Sequence, residues 1–100
     1  MKKLFPTLFV LAVFTVEGYF TVYSDTTDYF ERNTLTKWPV AQLAYYNEAV
    51  AQYHALAEEP YEGIYLKALA YTVRQPDGNG KEREMLVFKK ILEIYATEGI

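Results

Sequence analysis

Residues 9–23 read FVLAVFTVEGYFTVY, and the way this stretch divides decides the fold. Phe9, Val10, Val13, Phe14, Thr15 and Val16 are β-formers, and Tyr19, Phe20, Thr21, Val22 and Tyr23 make a second β-rich run. Glu17-Gly18 stands between them as a two-residue break. Two such runs around a short Gly-containing pair predict a hairpin. A competing reading starts upstream. Lys2 and Lys3 precede an apolar run from Leu4 to Val16, and Val16-Glu17-Gly18 passes as a cleavage site. On that reading residues 1–18 are a secretory signal and the protein is exported. Pro6 and Glu17 sit poorly in a signal, so we take the hairpin and, with it, a cytoplasmic protein. The run is too short and too broken for a transmembrane helix, which needs about 20 apolar residues. A membrane is therefore not an expected partner.

Working outward, residues 24–37 are rich in Ser, Thr, Asp and Asn and read as a connection, with Tyr29, Phe30 and Leu35 as anchors onto a core. Thr36 or Trp38 then caps a helix with Pro39 in its first turn, where proline's missing N–H does no harm. The helix runs over 40–58, a stretch dense in Ala, Leu, Glu and Gln, and Glu58-Glu59-Pro60 ends it. Val40, Leu43, Val50 and Ala57 fall on one face, flanked by Tyr46 and Tyr53.

Gly63 releases the chain into a strand over 64–74, with Tyr65, Leu69, Tyr71 and Val73 on one side. Pro76-Asp77-Gly78-Asn79-Gly80 is a turn signal, and a partner strand follows over 82–89. Adjacent Lys89 and Lys90 then break the alternation. Phe88, Ile91, Leu92 and Tyr95 opposite Glu82, Lys89, Lys90, Glu93 and Thr97 have helical spacing, so the tail reads as helical or extended, with a full helix over 82–97 as the alternative. The order β-β-α-β-β predicts one α+β domain over 1–100: a two-layer sandwich in which one long helix covers a four-stranded antiparallel sheet.

Composition limits the chemistry. The 100 residues include no cysteine, which excludes disulfides, thiolate catalysis and cysteine-held metals. A net charge of −3 disfavours nucleic acid, whose binders carry positive surfaces. The cluster Lys81, Arg83, Lys89 and Lys90 near Phe88 is offset by Glu82, Glu84 and Glu93. No P-loop, dinucleotide fingerprint or G-x-S-x-G elbow occurs. Ser24 is the only serine and has no base near it in sequence. The turn at 77–80 is no EF-hand, because Phe88 stands where a glutamate is needed. His54 is the only histidine. With Asn47 and Glu58 it could orient a proton-transfer or small-ligand site in the concavity between helix and sheet. A histidine hydrogen-bonded along its own helix is the plainer interpretation. No metal site or cofactor is expected.

Aromatic residues stand out instead: ten tyrosines and one tryptophan. Such side chains are enriched where proteins meet. The helix carries a second apolar stripe, Tyr45, Ala49 and Leu56, opposite the one that faces the sheet. With Tyr53 and Trp38 these residues form the expected partner-binding surface. The sequence thus predicts a non-enzymatic protein-interaction module, an inhibitor or accessory factor that covers a partner's surface. Hairpin edges at 8–16 or 82–89 are expected to support self-association.

Overall fold

A computed structural model describes residues 12–96, apart from Asp25 and Gly78. Five strands and one helix follow one another as β1 (Phe14–Val22), β2 (Thr27–Glu31), β3 (Thr36–Pro39), α1 (Tyr46–Leu56), β4 (Ile64–Pro76) and β5 (Glu82–Tyr95). The sheet is antiparallel in the order β3-β2-β1-β4-β5. The α+β class stands, with five strands where four were expected.

The 9–23 hairpin is corrected. Glu17 and Gly18 do not turn; they lie inside the continuous central strand β1, paired with β4 on one side and, at Gly18, with β2 on the other. The reason lies in Gly18. A Cβ there would collide with the Phe30 carbonyl oxygen, so the glycine permits close approach of β2, a known use of glycine inside strands. A cut at Gly18 would remove Phe14–Gly18 from β1, including the buried Val16, so that part of the expected signal belongs to this sheet. The run from Leu4 to Leu11, on which a signal peptide mainly rests, lies outside the described residues.

The connection at 24–37 is corrected too, since it holds β2 and the start of β3. Thr27, Tyr29 and Glu31 alternate inward while Asp28 and Phe30 point out. The buried Glu31 carboxylate organises the β2–β3 turn. It accepts the Thr34 amide at 2.8 Å, the Thr34 hydroxyl at 2.7 Å and the Asn33 side-chain amide at 3.3 Å.

The helix is shorter than 40–58 because its expected first turn is used elsewhere. Val40 forms a parallel bridge with Leu86, the Ala41 amide donates to the Leu86 carbonyl at 2.8 Å, and the Tyr45 amide donates to the Phe88 carbonyl at 3.1 Å. Pro39 ends β3 rather than opening a helix. This segment carries the chain from β3 to β5, strands at opposite edges of the sheet, so the sheet curls into a partly open barrel with α1 over its interior. Val16, Phe20, Tyr29, Ile64, Leu66, Leu86 and Phe88 fill that interior. Phe88 takes Phe20 and Tyr29 edge-on at ring separations of 5.4 and 5.3 Å.

The last segment is strand to Tyr95, so of the readings of the tail the extended one holds and the helical ones do not. Two register shifts against β4 leave Lys89 and Leu92 as extra residues in β5. Each is a β-bulge, which inserts one residue and restores the pleat beyond it. Leu86, Phe88, Ile91 and Ile94 thereby stay on the interior face at spacings of two, three and three. The apparent helical period was two bulges in succession.

Candidate functional site

The expected partner surface on the helix does not assemble. Ala49 and Tyr53 are 0% and 2% exposed and belong to the core. The Tyr53 hydroxyl donates to the Glu62 carbonyl at 2.5 Å, and its ring meets Phe20 edge-on at 6.0 Å. Leu56 and Trp38 are partly buried against that core. Only Tyr45, 44% exposed at the helix N-terminus, remains outward. The inward face of α1 is therefore the one expected to be free. The miss follows from the helix starting six residues late: once Val40 and Leu43 lie outside it, Ala49 and Tyr53 set the buried stripe.

His54 is exposed, its ring edge-on to Tyr53 at 5.6 Å. It lines two adjoining depressions of about 380 and about 490 Å³ between α1 and the β1–β2 turn. Val22, Tyr23 and Ser24 line both, and Glu58 and Tyr61 line the first. Asn47 lines neither, so the structure brings His54 and Glu58 to one place but leaves Asn47 about two turns away along the helix. Tyr23 and Tyr61 face each other at 5.3 Å, and the Ser24 and Tyr61 hydroxyls are 3.3 Å apart. Among the described residues, no three His, Asp or Glu side chains group to hold a metal, and no helix is long and apolar enough to cross a membrane.

The larger feature is on the outer face of the sheet, away from α1. Alternation sends Phe30, Tyr19, Tyr65 and Tyr95 outward, and the register aligns them in one row across β2, β1, β4 and β5. Tyr19 and Tyr65 meet edge-on at 6.3 Å, and Tyr65 and Tyr95 stack at 4.6 Å. The row ends are open, with Phe30 39% and Tyr95 48% exposed, while Tyr65 is buried between its neighbours. Burial pushes the Tyr65 hydroxyl pKa up, and the nearby Glu17 and Glu93 carboxylates push it further; Arg32 opposes them. Beside the aromatic row runs a charged one. Glu17 and Lys67 are an ion pair at 3.7 Å, Lys67 is registered with Glu93, and the Arg32 amide donates to the Glu17 carbonyl at 2.9 Å.

Sequence reading missed this face because its members come from four strands, three of them misassigned in whole or in part. The one legible signal was that Tyr65 shares a side of 64–74 with Leu69, Tyr71 and Val73; that this side points outward came only with the fold. No protein-family model, curated protein or solved structure matches the chain.

Proposed function

We propose that this protein is a non-enzymatic interaction module that holds a partner protein against the outer face of its sheet. The observation that carries this reading is the aromatic row Phe30–Tyr19–Tyr65–Tyr95, open at both ends and uncovered among the described residues. Tyrosines and phenylalanine on a rigid sheet present large contact area at little conformational cost. The flanking charges give such a contact orientation. By covering a surface on its partner, the module would act as an inhibitor or accessory factor.

The connectivity is consistent with a binding scaffold. A three-stranded meander, a helix and a hairpin, with β1 joining meander to hairpin and the end of β3 bridging β5 in parallel, is the plan of the OB-fold barrel. That fold serves many ligands, so the plan names none.

The test is site-specific photo-crosslinking in the native cell. A benzophenone side chain at position 30 or 95 should give a protein adduct, and one at position 54 should not. Adducts arising only from position 54 would overturn the outer-face reading. They would favour a partner protein seated at the depressions beside His54 and Glu58 instead.

A further inference from the structure

The charged row has an order that the aromatic row alone does not reveal. Crossing the sheet from β2 to β5, it runs Arg32, Glu17, Lys67, Glu93: positive, negative, positive, negative. A four-membered alternating row is complementary to its own reverse. Turning a second copy about an axis parallel to the strands, between β1 and β4, reverses the row. Arg32 then faces the second copy's Glu93, and Glu17 faces the second copy's Lys67. The same operation lays Phe30 over Tyr95 and Tyr19 over Tyr65, matching the two open row ends to each other. It also keeps the strand directions of the two sheets aligned, the usual arrangement when sheets stack face to face about 10 Å apart.

An isologous contact requires such a surface, one patch that fits itself under a twofold rotation. The row carries two positive and two negative charges, so the contact is neutral although the chain carries −3. We infer that the outer face binds a second copy of this chain, as a twofold dimer with β1 and β4 at its centre. The inference rests on the outer face being a protein-binding surface and names its occupant.

Sedimentation equilibrium of the full chain, with a mass of 11.6 kDa per copy, reads the outcome directly. The wild type should approach twice that mass as concentration rises. Lys67→Glu makes the row positive, negative, negative, negative and sets Glu17 against a like charge in the second copy. It should raise the dissociation constant at least tenfold. Exchanging the pair, Glu17→Lys with Lys67→Glu, gives positive, positive, negative, negative, which is again complementary to its reverse. It should restore dimerisation to near the wild-type value. Matching unfolding curves for the three proteins would show that the fold is intact; if Lys67→Glu does not fold, Glu93→Lys replaces it, since that change also sets like charges against each other. A strict monomer up to millimolar concentration overturns the dimer, as does a single-charge variant that dimerises as well as the wild type. Crosslinks from positions 30 and 95 to a different protein would then leave the binding face standing without self-pairing. Absence of both dimer and crosslinks ends both readings.

Discussion

A methyl group at position 18 has nowhere to go, because the Phe30 carbonyl oxygen occupies its place. Gly18→Ala must push β2 away from the central strand, and the Tyr19–Phe30 pair and the buried Tyr29 move with it. We expect a loss of about 3 kcal/mol or more in urea unfolding, at the upper end for overpacking. Tyr29 shows the same dependence on distant residues. Its hydroxyl, buried under β1 and β4, donates to the Leu66 carbonyl at 2.6 Å. Burial pushes its pKa far above the ordinary tyrosine value, and Glu31 adds to the effect. The folded chain therefore keeps a proton that the unfolded chain releases near pH ~10. Stability falls as pH rises above that point, and below it this group adds no pH dependence. Tyr29→Phe should cost about 1 kcal/mol at neutral pH, the usual net value of such a bond. It should also make the alkaline loss less steep, as unfolding titrations from pH 8 to 11 will show. Burial raises Tyr53 and Tyr65 as well, so part of the slope persists.

At the scale of elements, β5 carries the clearest lesson. Lys89 and Leu92 are extra residues against β4, and bulging them out keeps Ile91 and Ile94 on the interior side. Deleting Lys89 removes the first bulge and leaves Lys90 opposite Leu69 and Ile91 opposite Ala68, so register and alternation both hold. Ile91 stays on the interior side and Lys90 outside. The deletion should therefore change stability by no more than about 0.5–1 kcal/mol in urea unfolding, without speeding amide exchange over 90–95; a larger loss would show that the bulge itself is needed. Spacings of three at Phe88, Ile91 and Ile94 look helical because a bulge leaves no mark in one strand's sequence; its partner defines it. The β4–β5 turn was legible for the opposite reason. Asp77 accepts the Asn79 amide at 2.8 Å and the Lys81 amide at 3.1 Å, and Gly80 takes a φ of 81°, all within five residues. The helix was legible as an element and wrong in its bounds, since residues 40–45 find hydrogen-bond partners on β5 that no local pattern announces. The binding face was barely legible. Its row needs the register of four strands, two of them in stretches read as a turn and a connection.

In the molecule as a whole, curling of the sheet is what separates a filled interior from an outward aromatic face. One seam holds the curl closed: the Val40–Leu86 bridge and the amides of Ala41 and Tyr45 bonded to β5. Such a seam carries few bonds for the surface it closes, and segments of that kind open before the core does. Amide exchange at Ala41 should run well ahead of exchange at Phe20 and Leu66, and equal protection would show that the seam opens only with the whole fold.

Local chemistry was enough to specify an α+β chain without cysteine, the existence of a helix near 46–56, and the hairpin that turns at 77–80. Each rests on residues close in sequence, where propensity, periodicity and turn geometry act directly. Contact between distant segments decided the rest. Gly18 became a point of close approach, Ala49 and Tyr53 became core, the Lys89 and Leu92 bulges became visible, and four aromatic residues became one row. A side chain's face in a sheet is set by its register with a neighbouring strand, and register exists only once the strands have met.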